Sequence, residues 1–200
     1  MRVLIGCESS ATVRDAFRAK GHDAWSCDLL PSEGDSRWHI QGDLMEVIRD
    51  DWDLGIFHPP CTRLTNSGVR WLEERNLWAE LEEAVLFFLK CLHAPIPRVV
   101  VENPIQHGHA ASRIMVPPTQ IIQPWMFGHG ETKATCLWIK GLQMLRPTKI
   151  VAGRQPRVHF MPPGPDRWKE RSRTLPGIAE AMADQWGNYT DLVTQMEATC

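Results

Sequence analysis

A doubly wound, mainly parallel α/β sheet is the fold class the sequence predicts, and three observations predict it. Short apolar runs alternate with segments of helical periodicity from the amino terminus to about residue 103, the order that builds parallel strands with helices on both faces. Those runs end on acids or a cysteine rather than on tight hairpin turns. Two later runs, "TQIIQ" and "TCLWIKG", have no helical segment between them, so a late antiparallel hairpin is expected at the end of the sheet.

The elements follow in order. "RVLIG" reads as a first strand, "TVRDAFRAK" as a helix stopped at Gly21, and "DAWSC" as a second strand ending at Asp28. A short strand around "WHIQ" ends at Gly42-Asp43, "LMEVIRD" makes a brief helix, and "DLGIF" is the next strand. Pro59 and Pro60 end its ladder, because neither has an N–H to donate. Residues 71–93 place Trp71, Trp78, Leu81, Val85, Phe88 and Leu92 on one face at helical spacing and predict one long helix covering the sheet. "RVVVEN" is a fifth strand, and "PGIAEAMADQWG" a closing helix with proline in its first turn. Connections between parallel strands are expected to be right-handed.

Two hundred residues suit a single domain over 1–200. No segment reads as a signal peptide or a membrane span, and a cytoplasmic protein without membrane contacts is expected. The six cysteines (7, 27, 61, 91, 136 and 200) lack C-x-x-C spacing, so neither a zinc site nor a disulfide framework is indicated, and no metal is expected. The net charge of −2 conceals an asymmetry. Residues 1–100 hold 11 Lys and Arg against 16 Asp and Glu, whereas residues 140–173 hold nine basic residues and only Asp166 and Glu170 as acids. That basic, Pro- and Arg-rich segment, 142–175, also carries His159, Phe160 and Trp168. The mixture suits phosphate contacts and base stacking; a solvated loop is the plainer alternative.

In an open α/β sheet, Glu8, Asp28, Asp43, Cys61 and Glu102 all fall at or just past strand carboxyl ends, where the ligand crevice lies. An acid about 20 residues after the first turn accepts from ribose hydroxyls, which fits Asp28. Asp43 is placed to accept from an adenine amine. The first turn, "GCESSATVRDAF", lacks G-x-G-x-x-G, which argues against a pyrophosphate cradle and for a nucleoside ligand without phosphates. S-adenosylmethionine is such a ligand, with Ser9 and Ser10 expected to donate to its carboxylate at the helix N-terminus.

This order of residues resembles the cytosine carbon-5 DNA methyltransferases, particularly small phage and prophage members. Pro60-Cys61 matches the family's strand-end nucleophile and Glu102-Asn103 its acid. The resemblance runs from Met1 to about Gly187 and implies a Rossmann-like methyltransferase sheet using S-adenosylmethionine. It implies a catalytic set of Cys61, Glu102, Pro60 and Asn103. The expected cofactor set is Glu8, Ser9, Ser10, Asp28, Leu29, Asp43, Leu44 and Pro59. Expected contacts to DNA, double- or single-stranded, are Arg63, Asn66, Lys133, Thr135, Arg154, Arg157, Arg167, Lys169, Arg171 and Arg173. Two departures stand out: "GHGETKATCLW" has only Lys133 and Thr135 where the family has a glutamine and two arginines, and residues 142–175 replace a separate target-recognition domain. A relaxed specificity, a single-stranded target or a partner subunit are the ways such a chain would choose its cytosines.

The chemistry explains the residue types. Carbon 5 of cytosine is a poor nucleophile, and thiolate attack at carbon 6 makes it enamine-like. A cation near Cys61, with Arg63 the candidate, raises the thiolate fraction. Negative charge pushed into the ring is met at ring nitrogen 3 by a protonated Glu102, which requires burial to raise its pKa. Other readings use the same residues: a thymidylate-synthase-like enzyme on free nucleotides, a methyltransferase for free deoxycytidine nucleotide or for an exocyclic amine, and a catalytically silent nucleic-acid-binding relic. A metal site from His58, Cys61, His107 and His109 ranks below them.

Overall fold

The structure, a computed structural model, describes residues 1–165 and 167–188. Asp166, one of the two acids in the basic segment, and residues 189–200 with Cys200 lie outside the described residues.

Seven strands form one sheet: β1 (Arg2–Gly6), β2 (Asp23–Asp28), β3 (His39–Gln41), β4 (Leu54–Phe57), β5 (Arg98–Pro104), β6 (Gln120–Ile122) and β7 (Thr135–Lys140). Their order is β3-β2-β1-β4-β5-β7-β6. Neighbours among β1 to β5 pair in parallel, and β7 runs antiparallel to both β5 and β6. This is the doubly wound, Rossmann-like sheet with the late antiparallel hairpin that the sequence predicts.

The side-chain period of two puts alternate residues of each central strand into different cores. Leu4, Phe57, Val99 and Val101 pack on one face beneath Leu81, Val85, Phe88 and Leu92 of α4 (Trp78–Leu92). Val3, Ile5, Leu54, Ile56 and Val100 face Val13 and Phe17 of α1 (Thr12–Ala19) and Ile178, Met182 and Trp186 of α7 (Pro176–Gly187). Phe88 meets Trp138 of β7 edge to face at 4.9 Å, and each such buried aromatic contributes ~1.5–3 kcal/mol. The remaining helices are α2 (Leu44–Val47), α3 (Asn66–Glu74), α5 (Gly108–Ile114) and α6 (Arg167–Ser172).

The single helix expected over 71–93 is two. Asn76 takes a left-handed conformation with φ 51°, which asparagine tolerates at a helix end. The amides of Arg75 and Leu77 fold back onto the carbonyls of Trp71 and Leu72, closing α3 before α4 begins. Trp71 consequently leaves the core stripe and lies between the guanidinium groups of Arg70 and Arg75, while Leu72 is buried in its place. The strand order switches from one side of β1 to the other between β1 and β4. Their carboxyl ends therefore open the crevice of the sheet.

Candidate active site

Cys61 sits on a turn just past β4, and the turn is fixed from three sides. Its own carbonyl accepts from the amides of Leu64 and Thr65 and from the Thr65 hydroxyl. Asn103, fully buried at the end of β5, donates from Nδ2 to the Pro59 carbonyl at 2.9 Å. His107 Nε2 lies 2.8 Å from the Arg63 carbonyl, and its Nδ1 accepts from the Ala110 amide. One ring nitrogen of His107 thus holds the loop and the other caps the helix that begins at Gly108, which leaves it no lone pair for a metal. Pro59 is buried and Pro60 exposed, so the two prolines turn the chain outward and leave Cys61 half-buried.

Glu102 reaches the same edge from β5. Its Oε2 lies 3.3 Å from His58 Nδ1, and the two side chains are only 13% and 11% exposed. Because β7 is antiparallel to β5, it starts where β5 ends, with Thr135 opposite Pro104. Lys133 and Thr135 therefore join Glu102 in lining one cleft. Burial alone would raise the Glu102 pKa. The hydrogen bond and charge of His58, then the Lys133 ammonium and the Thr135 hydroxyl, outweigh it and hold the carboxyl below its ordinary value. A Glu102 kept protonated by burial, as the sequence suggested, is not what these partners produce; they stabilise the carboxylate.

The Cys61 thiol is pushed up first by burial and then by the Glu102 charge, with Lys133 and Arg171 opposing. Arg63 is not the cation beside it: its Nε is bound to Glu80 at 2.8 Å. Asn66 is exposed in the first turn of α3. Cys91 is a buried thiol pushed up by desolvation to about 12.

At the β1 end, Glu8 is buried and its carboxylate accepts from the amides of Val13 and Arg14 and from the Ser10 hydroxyl. The N-terminus of α1 is thereby filled from within the chain. Ser10 is spent on Glu8 and Thr12 rather than offered to a ligand carboxylate at that helix end. Cys7 and Ala11 flank this turn in left-handed conformations, φ 59° and 63°, each costing ~1–3 kcal/mol in a non-glycine residue, a strain typical of ligand-binding turns. Gly6 has no such choice, since a Cβ there would lie 2.6 Å from the Phe57 ring.

Asp28 and Asp43 converge on this turn. The Cys7 thiol is pushed up by burial first, then by Cys91, Asp28, Cys27 and Asp43. Each aspartate uses Oδ1 within the chain, toward the amides of Leu30 and Met45. The cofactor set separates: Leu29 is 74% exposed beside Asp28, while Leu44 is only 4% exposed and belongs to the core. An exposed apolar side chain thus stands next to two acids at neighbouring strand ends. Replacing either acid by Asn keeps the internal cap and removes one charged acceptor. S-adenosylmethionine affinity is expected to weaken by ~1.5–3 kcal/mol in each of Asp28→Asn and Asp43→Asn; calorimetry showing both unchanged would put the cofactor elsewhere.

The basic segment does not form a separate flank. Residues 149–155 run alongside 125–132, tied by hydrogen bonds from the amides of Val151, Gly128 and Gln155 to the carbonyls of Trp125, Lys149 and Gly130. Arg154 bonds the Val151 and Gly153 carbonyls and stacks on Trp125, Arg157 pairs with Glu131 at 2.7 Å, and Arg167 bonds the Met161 carbonyl. Arg173 pairs with Glu33 beyond β2, and its carbonyl accepts from Lys133 Nζ just before β7. Since β1, β4 and β5 lie between β2 and β7, residues 171–175 span the crevice and roof it. Thr174 and Leu175 line the cleft beside Glu102. Lys169 stacks its ammonium over Trp168, and half-buried Arg171 bears on Cys61. Sequence reading weighed His58 only as a metal ligand and missed both its pairing with Glu102 and this roof.

No protein-family profile matches the chain, and no curated protein does. Among solved structures, it is similar to a prophage-encoded protein of E. coli assigned as a DNA modification methyltransferase, with a TM-score of 0.47 at 13% identity over 82% of this chain and 55% of that one. It is also similar to the Entamoeba histolytica methyltransferase EhMeth, with a TM-score of 0.47 at 8% identity over 76% of this chain and 57% of that one. The chain spans a little over half the length of each.

Proposed function

We propose that this chain transfers a methyl group from S-adenosylmethionine to carbon 5 of cytosine in DNA, through a covalent adduct between Cys61 and carbon 6. The observation that carries the reading is that Cys61, just past β4, and Glu102, near the end of the neighbouring β5, stand on one sheet edge within electrostatic reach of each other, with Lys133 acting on both and lining a cleft beside Glu102, and Arg171 acting on Cys61. A nucleophile, an acid and two cations are what attack on an electron-rich pyrimidine requires. The cofactor, held by Asp28, Asp43 and Leu29, supplies an electrophilic methyl group. Cys61 adds to carbon 6, Glu102 meets the charge at ring nitrogen 3, and Asn103 holds the loop that carries Cys61 to the Glu102 strand. Lys133 is anchored by the Arg173 carbonyl and presents its charge to both Glu102 and Cys61.

The roof favours a second reading of the substrate. A free deoxycytidine nucleotide or a single strand has less bulk than a duplex to fit beside residues 171–175 and avoids the unstacking cost of a few kcal/mol. Labelled methyl transfer to duplex DNA, single-stranded DNA and deoxycytidine monophosphate, with mapping of the modified atom, separates these. Label on carbon 5 in DNA supports the proposal. Label on the monophosphate alone makes the chain a nucleotide enzyme, and label on the exocyclic amine removes the covalent mechanism.

A further inference from the structure

We propose that His58 is the proton store of this site: it carries on Nδ1 the proton that Glu102 delivers to ring nitrogen 3, and takes it back when product forms. This rests on the carbon-5 reading above. The reading requires a proton at Glu102, yet His58, Lys133 and Thr135 all favour its carboxylate, so the proton must come from a neighbour. His58 is the neighbour in hydrogen-bond range, at 3.3 Å, and both side chains are almost closed to water.

The position of His58 is set by the sheet. Its amide donates to the Gly6 carbonyl at 2.9 Å, continuing the β1–β4 register one residue past the strand. Its Nε2 is buried and has no hydrogen-bond partner among the described residues, so the ring is held by Glu102 alone. The charged groups facing it come from three elements: Glu102 on β5, Glu8 after β1 and Lys133 before β7. Burial disfavours the imidazolium most strongly, but the hydrogen bond and charge of Glu102, with Glu8, outweigh burial and Lys133 and hold His58 above its ordinary value.

The proton balance closes. At rest the pair is imidazolium and carboxylate. As the Cys61 thiolate, its proton already lost to solvent, forms its bond to carbon 6, Glu102 takes the Nδ1 proton of His58 and passes it to the ring electron pair displaced onto nitrogen 3. His58 is left neutral with its hydrogen on Nε2. After carbon 5 has gained the methyl group and lost its proton to a base, the Cys61–carbon 6 bond breaks. The nitrogen 3 proton then returns through Glu102 to Nδ1.

The test is the pH–rate profile of methyl transfer to cytosine in wild type and His58→Gln. The ascending limb belongs to Cys61 and stays in place. The descending limb belongs to the His58–Glu102 pair, which loses its shared proton as pH rises. His58→Gln is expected to be slower by about 100-fold near about pH 8. Its descending limb should move to lower pH, where Glu102 itself holds a proton. A variant slowed equally at every pH, with the limb unmoved, makes His58 a structural residue and overturns the proposal. If His58→Gln does not fold, NMR titration of the His58 ring in wild type and Glu102→Gln decides: the midpoint should fall in the variant, and equal midpoints overturn the proposal. Wild-type protein with no Cys61-dependent transfer sinks the carbon-5 reading itself and the proposal with it, a result distinct from an unmoved limb in an active enzyme.

Discussion

DNA bearing 5-fluorocytosine is expected to be captured covalently by the wild-type chain after methyl transfer, and Cys61→Ser is expected to capture none. Fluorine at carbon 5 cannot leave as a cation, so elimination is blocked and the bond from Cys61 to carbon 6 persists. Serine keeps the size of the side chain and loses most of its nucleophilicity. The turn around position 61 is held by the backbone carbonyl and by Asn103 and His107, none of which touches the sulfur, so fold and cofactor affinity should be retained. Turnover on ordinary cytosine should fall by about 10³-fold or more, the scale on which enzymes lose activity with their nucleophile. The resting thiol is pushed up by burial and by Glu102, so activity in wild type should climb with pH on its acid side. Mass spectrometry of the trapped complex locates the adduct. Full methyl transfer by Cys61→Ser would falsify the covalent mechanism.

The parts of this site that could be read from sequence are those governed by one strand at a time. Apolar runs fix where β1, β2, β4 and β5 end, and a residue at a strand end has only one edge to face, so Asp28, Cys61 and Glu102 follow from periodicity and from the proline pair. What pairs with what at that edge is decided by side-chain reach between strands, which periodicity does not encode. Arg63 is two residues from Cys61 in sequence but turns to Glu80 on α4. Lys133 is 72 residues away yet acts on both Cys61 and Glu102, because an antiparallel β7 starts where β5 finishes. The protonation of Glu102 was read from burial alone, and the His58 contact reverses it. The basic segment shows the same limit: composition left a phosphate-binding surface and a solvated loop equally open, and it could not show that Arg154, Arg157, Arg167 and Arg173 are each engaged within the chain. A helix break also escapes a periodicity count, since the sequence spacing from Trp71 to Leu81 and Val85 reads as one stripe although the backbone turns at Asn76 and buries Leu72 instead of Trp71.

The glycine that follows the nucleophile loop in "CTRLTNSG" carries the second large effect. Gly68 lies in the first turn of α3, buried against the loop, and a Cβ there would stand 2.0 Å from the Thr62 carbonyl oxygen. That oxygen is backbone, in the residue after Cys61, so no rotamer change relieves the overlap. The loop has little freedom to yield, because Pro59 is tied to Asn103, Arg63 and Leu64 to His107, and the Cys61 carbonyl to Thr65. In Gly68→Ala either α3 moves away or the Cys61 turn does, by about an ångström, and misplacement on that scale costs about 10²-fold in rate. Overpacking of this kind also destabilises by ~1–3 kcal/mol. Gly108→Ala is the matching control, since nothing lies within 4 Å of a Cβ at that position. Gly68→Ala should therefore lose most of its rate and trap 5-fluorocytosine slowly, while cofactor affinity, proposed to rest on Asp28 at the end of β2 and Asp43 after β3, should be unchanged. A Gly68→Ala protein with the turnover of Gly108→Ala would mean that the Cys61 loop is not held against α3 when the enzyme works, and that the reactive geometry is assembled only after substrate binds.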